Sequence, residues 1–128
     1  MIDPKRWQAH FGRGLCLLNL RRVEEAVAAL DAALQEANGQ NQDRILAAKA
    51  VALQESGKLD EAAAIYQKLL PGDPNSPELL ANLIAISITK KDDNRTKELS
   101  ERLLKVQPDS RHALEGLIAV ATARGDFQ

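Results

Sequence analysis

The feature of this chain that most constrains its fold is a sequence repeat. The dipeptide Glu25-Ala26 returns as Glu61-Ala62 after 36 residues, and the step Asp73-Pro74 returns as Gln107-Pro108 after 34 residues. A fixed period in this range is typical of stacked helix-turn-helix units, each of which buries its apolar face against its neighbours. The repeat therefore predicts an array of paired helices and not a single globular core.

The composition excludes several classes of function. Hydrophobic residues make up 45% of the chain but aromatic residues only 3%, so packing falls to Ala and Leu, which favour helices. A net charge of −1 does not provide the basic stripe of a nucleic-acid binder. No apolar run is long enough to cross a bilayer, and residues 1–6 lack the apolar segment of a signal peptide. We therefore expect no nucleic-acid partner and no membrane insertion. The compartment stays unknown, with a cytoplasmic location as the default.

Turn and cap residues divide the chain into seven helices. The first four are predicted over residues 5–20, 22–37, 43–56 and 59–70. The second is expected to end at Asn38-Gly39 in a left-handed backbone, and Asp43 or a nearby residue is expected to cap the third. Ser76 followed by Pro77 predicts the start of the fifth helix, and Pro108 ends the sixth. Asp109-Ser110 begins the seventh, which a turn at Gly125-Asp126-Phe127 closes.

Small residues and prolines at fixed places in these pairs resemble the tetratricopeptide repeat (TPR) family. Gly14 and Ala50 lie midway in first helices, Ala26 and Ala62 lie early in second helices, and Pro74 and Pro108 close two units. Ile84 and Thr96 depart from the pattern in the third unit. The resemblance implies an all-α fold, a right-handed superhelical array of antiparallel helix pairs (a TPR-like α-solenoid). It covers 1–128 as a single domain, with repeats at approximately 7–40, 43–76 and 77–110 and a half repeat at 111–128. We expect the chain to be a fragment of a longer protein.

No residue pattern predicts catalysis, a metal or a cofactor. The acidic pairs Glu24-Glu25, Asp60-Glu61 and Asp92-Asp93 each begin a second helix, where negative charge stabilises the positive end of the helix dipole. His10 and Cys16 lie about 240° apart around the first helix, so they cannot share a metal ion. Cys16, the sole cysteine, is expected to be buried and inert. We therefore predict that the chain is not an enzyme.

The resemblance also implies a binding surface, because the first helix of each TPR unit lines a concave groove. The middle of that groove is apolar here, which suits a peptide or helix with apolar anchors. Some family members hold a C-terminal carboxylate there with Lys, Arg and Asn, and only Asn82 matches such a position, so we do not expect that clamp. The predicted contact residues are Phe11, Leu15, Leu18, Ala47, Val51, Asn82, Ala85 and Ile88.

The resulting hypothesis is a protein–protein interaction module with a protein or peptide partner. Three alternatives stay open. In the first, Phe11 and Leu18 are covered within the same chain by the preceding N-terminal segment or a neighbouring repeat, and Trp7 anchors the N-terminal edge of the array. In the second, the chain is a structural scaffold that forms a homo-oligomer through its uncapped C-terminal helix, where Leu114, Leu117 and Ile118 lie. Finally, the repeats are the substrate-recognition arm of a larger enzyme.

Overall fold

The computed structural model describes residues 6–125, apart from the side chain of Arg124. This part of the chain contains seven α-helices and one short 3-10 turn. The α-helices are α1 (Arg6–Asn19), α2 (Val23–Glu36), α3 (Gln40–Glu55), α4 (Leu59–Leu69), α5 (Pro77–Thr89), α6 (Asp93–Val106) and α7 (Arg111–Arg124), and the 3-10 turn is Leu70–Gly72. Within 6–125 there is no strand, so the prediction of an all-α chain with seven helices is confirmed. The contacts divide the chain into two compact units, residues 1–65 and 66–128. The predicted repeat boundaries stay a prediction.

In the first unit, α1 packs on α2 and α2 packs on α3. The start of α1 meets the end of α2, where Arg6 Nε lies 3.2 Å from Glu36 Oε1, so the two helices are antiparallel. Their close approach is set by Gly14, because a Cβ atom added there would lie 2.8 Å from the side chain of Leu30. A residue larger than glycine would therefore force the two helices apart.

Two groups of buried side chains form the core that these three helices share. One consists of Leu30, Ala33, Ala37 and Ile45, and the other of Leu17, Ala26 and Ala29. Ala26, Ala50 and Ala62, the small residues that the repeat pattern places at helix contacts, are fully buried, and so is Ala33. Their burial confirms that the alanines of the repeat serve close packing between helices.

In the second unit, α5 packs on α6, and α7 packs on both. Ile84 and Thr96, the two departures from the repeat pattern, are both buried. The Thr96 hydroxyl lies 2.7 Å from the hydroxyl of Ser87 on α5, which is also buried. The two hydroxyl groups are within hydrogen-bond distance of each other. The contact between α5 and α6 can therefore hold polar side chains at the positions where α1 and α2 have the apolar contact of Leu17 with Ala26.

The turns that follow α1, α3, α5 and α7 share one backbone conformation. Arg21 (φ 64°), Gly57 (φ 85°), Lys91 (φ 60°) and Gly125 (φ 73°) are all in the region of positive φ. In the first three cases the next helix begins two residues later. The turns at Arg21 and Gly57 lie between predicted helices, whereas Asp126 and Phe127 of the predicted final turn lie outside the described residues.

Three N-caps explain where the later helices begin. The Ser76 hydroxyl accepts a hydrogen bond from the Leu79 amide, and the Ser110 hydroxyl accepts one from the Ala113 amide. The Asp92 carboxylate accepts a hydrogen bond from the amide of Arg95. The acidic pairs occupy the first turns of α2 and α4 and the cap and first turn of α6, as expected for the helix dipole.

The expected connection between α2 and α3 is wrong. The helix α2 ends at Glu36. The residue after it, Ala37, has an extended backbone, and no left-handed glycine caps the helix. Gly39 (φ 60°, ψ −130°) lies directly before α3, in a conformation that glycine reaches far more easily than other residues. Because α3 then begins at Gln40, Asp43 lies inside its first turn and is not its cap.

We expect Gly14→Ala to lower the free energy of unfolding by about 1–3 kcal/mol, because the added methyl group overlaps the fully buried Leu30. Gly12→Ala is the matched control on the same helix. An added Cβ there meets nothing within 4 Å, so we expect this change to stabilise the protein by about 0.5–1 kcal/mol. Urea unfolding followed by circular dichroism measures both, and equal effects would contradict the close approach of α1 and α2.

We expect Lys91→Gly to raise the free energy of unfolding by about 1 kcal/mol, because it relieves a side chain held at positive φ. Lys90→Gly is the control, since Lys90 has φ −82° and ψ −3° and gains nothing from glycine. Thermal unfolding of the two variants should move their midpoints in opposite directions, and a loss of stability in Lys91→Gly would contradict the assigned turn.

Candidate functional site

The first unit brings five of the predicted contact residues onto two helices that touch. Phe11, Leu15 and Leu18 lie on α1, and Ala47 and Val51 lie on α3. We call this set the α1–α3 surface. Leu15 is 40% exposed, and the other four side chains are partly buried. None of the five is sealed in the core, so this apolar patch is accessible from solvent.

Phe11 is engaged from within the chain on two sides. The guanidinium carbon of Arg44 lies 5.6 Å from the centroid of the Phe11 ring, within the range of a cation–π contact. The Trp7 ring is 6.3 Å away at an angle of 36°. Both aromatic side chains also pack on the core group that contains Leu30 and Ile45. Trp7 therefore packs at this edge of the core, and Phe11 offers a partner only part of its ring.

Leu18 belongs more to the core than to the surface. It packs against the group of Leu30 and Ile45 and also against the group of Leu17 and Ala26. Leu15 is more exposed than Leu18, with 40% of its surface accessible. The alternative that Phe11 and Leu18 are covered within the chain thus holds in part, and Leu15 is the better candidate for an anchor contact.

The second unit carries the other three predicted contact residues on α5. Ala85 is exposed, whereas Asn82 and Ile88 are partly buried. The opposite side of the same helix is buried through Leu80, Ile84 and Ser87. The helix α5 therefore has one core face and one accessible face, and all three predicted residues lie outside the core face.

Several charged side chains in the described part of the chain form ion pairs with one another and do not form a reactive site. Lys49 Nζ on α3 lies 2.8 Å from Asp31 Oδ1 on α2, and this pair ties the two helices together. Burial raises the pKa of Tyr66 from 10.0 to about 12, so its hydroxyl stays protonated even in mildly alkaline solution. Among the described residues, no group of three His, Cys, Asp or Glu side chains is placed to hold a metal ion. No helix in that part of the chain has the length and apolarity to cross a bilayer.

Cys16 is exposed, so the prediction that it is buried is wrong. The side of α1 that packs on α2 runs through Gly14 and Leu17, which are both buried. Cys16 lies between them in sequence but points away from that side of the helix. The helical period shows which residues of α1 share a side of the helix. Which of these sides is buried depends on the position of α2, which the period does not give.

A cavity in the second unit was not apparent in the sequence. It has a volume of about 320 Å³ and is lined by Gln67, Leu70, Pro71, Pro74, Arg95 and Arg102. Both guanidinium groups already have partners, since Arg102 donates to the Pro74 carbonyl at 3.0 Å and Arg95 pairs with Glu98 at 3.4 Å. Its lining residues come from parts of the sequence with no shared motif.

Comparison with known proteins places this geometry in a family. The family model of the Psidin N-terminal TPR repeats region matches residues 4–121. The chain belongs to this TPR family. A solved structure, the first TPR of Spaghetti (RPAP3) bound to the HSP90 peptide SRMEEVD, is similar, with a TM-score of 0.82 and 14% sequence identity over 97% of both chains. No curated protein sequence matches the chain. The all-α TPR-like repeat fold implied by the sequence resemblance is therefore confirmed.

Membership in this family determines the general kind of function. TPR repeats form protein-interaction scaffolds and are not a class of enzyme. This chain is accordingly a protein–protein interaction module. The partner, and the residues that contact it, are separate questions that the family does not answer.

We expect Leu18→Ala to lower the free energy of unfolding by about 2 kcal/mol, because Leu18 packs on both core groups. Leu15→Ala should change it by less than about 1 kcal/mol, because that side chain is largely solvated. Urea unfolding of both variants tests the distinction, and a larger loss for Leu15→Ala would reverse the assignment of core and contact residues.

Proposed function

We propose that the chain binds a peptide or helix with apolar anchors on the α1–α3 surface. The observation that carries this proposal is the exposure of Leu15, which is 40% accessible in the middle of an apolar stripe. Ala47 and Val51 add further partly exposed apolar surface on α3. The burial of such side chains by a partner removes apolar area from water and so favours binding.

The expected affinity is modest. A fully buried Leu or Val contributes roughly 1.5–3 kcal/mol, and these side chains are already partly covered. Association costs at least about 4 kcal/mol in lost translational and rotational freedom. Three anchors contribute at most about 9 kcal/mol before this cost, which leaves at most about 5 kcal/mol and a dissociation constant of about 0.2 mM or weaker.

The chemistry of the surface favours an apolar peptide over an acidic one. The peptide in the similar RPAP3 structure, SRMEEVD, carries three acidic residues near its end. An acidic peptide needs cationic side chains in the binding surface. The α1–α3 surface presents Leu15, Ala47 and Val51, and the Arg44 guanidinium at its edge lies over the Phe11 ring. We therefore propose that apolar anchors provide most of the binding free energy and that charge at the rim sets orientation.

The experiment screens a library of short peptides rich in Leu, Ile and Phe, with SRMEEVD as the acidic comparison, and measures dissociation constants by fluorescence anisotropy. We expect Leu15→Asp and Val51→Asp each to weaken the best apolar peptide by at least about tenfold, because a buried anchor would then meet a carboxylate. Leu20→Asp is the matched control, since Leu20 is an exposed leucine in the turn directly after α1 and outside the proposed surface. It should leave the affinity unchanged.

Circular dichroism must show the same helix content in all three variants. If Leu15→Asp and Leu20→Asp weaken binding equally, or if SRMEEVD binds more tightly than every apolar peptide, the proposal is wrong.

A further inference from the structure

The cavity of the second unit lies between the segment that follows α4 and one side of α6, and we call it the α6 cavity. Leu70 and Pro71 line it from the 3-10 turn, and Pro74 lines it from the loop before α5. Arg95 and Arg102 line it from α6. Its volume of about 320 Å³ is at the lower end of the range for pockets that hold a small organic ligand.

The wall opposite α6 is held in shape by hydrogen bonds within the chain. The Asp73 amide donates to the Leu70 carbonyl at 3.0 Å, and the Ser76 amide donates to the Asp73 carbonyl at 3.1 Å. Arg102 Nη2 donates to the Pro74 carbonyl at 3.0 Å and so ties the loop to α6. The two prolines of this wall also have restricted backbones. A cavity formed in advance costs a ligand less than one that has to be ordered on binding.

The same wall is apolar. Leu70, Pro71 and Pro74 provide it, and Gln67 at the end of α4 adds an uncharged amide. None of the six residues that line the cavity is acidic. An apolar group that enters the cavity therefore leaves water for an apolar wall, which favours binding.

The opposite side of the cavity is cationic. Arg95 and Arg102 are seven residues apart, which is nearly two turns, so they lie on one side of α6. Arg95 Nη1 has the Glu98 carboxylate at 3.4 Å as its partner, and Glu98 is mostly exposed. In the described part of the chain, Arg102 has the neutral Pro74 carbonyl and no carboxylate as its partner. Two guanidinium groups and one carboxylate leave one positive charge uncompensated.

We propose that the α6 cavity binds a small organic monocarboxylate with a compact apolar body. The carboxylate oxygens accept hydrogen bonds from Arg95 and Arg102, whose remaining N–H groups have the planar arrangement that suits a carboxylate. The apolar body lies against Leu70, Pro71 and Pro74. One uncompensated positive charge matches a monoanion better than a phosphate dianion. This proposal does not depend on the α1–α3 surface.

The test titrates the chain with 3-phenylpropanoate and follows the backbone amide shifts by nuclear magnetic resonance. The matched neutral probe is 3-phenylpropanamide, which has the same apolar body. We expect the acid to bind with a dissociation constant of about 1 mM, and the largest shifts to be those of Gln67, Leu70 and Arg95. The amide should bind at least about fivefold more weakly, because it lacks the charge that the guanidinium groups attract.

Two arginine variants test the cationic side. Arg95→Gln and Arg102→Gln should each weaken the acid by at least about fivefold and remove its advantage over the amide. Arg102→Gln also removes the hydrogen bond to Pro74, so Arg95→Gln, which leaves that bond in place, is the deciding variant. Lys97→Gln is the matched control, since it removes the same charge from an exposed position on the other side of α6. It should leave the affinity of the acid within about twofold.

Two further probes test the size and the apolar part of the ligand. Inorganic phosphate has no apolar body and should bind more weakly than 3-phenylpropanoate. Acetyl-glycyl-phenylalanine carries the same kind of carboxylate at the end of a peptide and should also bind more weakly, because the cavity has the volume of a small ligand. Tighter binding of this peptide would assign the cavity to a chain terminus and overturn the proposal. Equal binding of acid and amide, phosphate as tight as the acid, or an affinity unchanged by Arg95→Gln would also overturn it.

Discussion

The fold depends on how closely the two helices of a pair approach each other. Where Gly14 meets Leu30, there is no room for even one additional methyl group. Gly116 on α7 is restricted in the same way, because an added Cβ would lie 3.1 Å from Ile84 Cγ2 and would collide with the Ser100 hydroxyl. Helices packed this closely gain many weak dispersion contacts, whose sum is large although each is small. Because only 3% of its residues are aromatic, this chain has to fill its core mainly with Ala and Leu, and these small side chains fill it only when the helices pack closely.

The second unit shows that close packing does not require alanine at every contact. Thr96 and Ser87 place two hydroxyl groups 2.7 Å apart in a buried contact. The Ser87 hydroxyl also lies 2.8 Å from the Ile84 carbonyl, and the Thr96 hydroxyl lies 2.9 Å from the Asp92 carbonyl. Each of these buried hydroxyl groups therefore has a backbone carbonyl as well as the other hydroxyl within hydrogen-bond distance, and neither is left without a partner. The unit that departs most from the repeat pattern therefore has a specific polar contact in place of an apolar one, which also fixes the register of α5 against α6.

Local signals in the sequence predicted the helices well and their surroundings less well. Ser76 and Ser110 act as caps where they were expected, because an N-cap needs only its own hydroxyl and an amide three residues away. The Asn38-Gly39 step was misassigned, since glycine serves both to end one helix and to lead into the next. Gly116 was missed because its role depends on Ser100 and Ile84, which are distant in sequence. The predicted contact residues were placed on the correct helices, but the sequence did not show that Leu18 packs on two core groups and that Arg44 covers Phe11.

The sequence alone determined that the chain has seven helices, where most of them begin and end, which residues repeat, and that the chain has the TPR fold. These properties follow from backbone preferences and from periodicity, which act over a few residues at a time. Only the tertiary structure decided which apolar stripes are covered. Leu15, Cys16 and Ile118 lie on helices that each have a buried side, and all three are exposed, because burial depends on where a neighbouring helix lies and not on the residue itself.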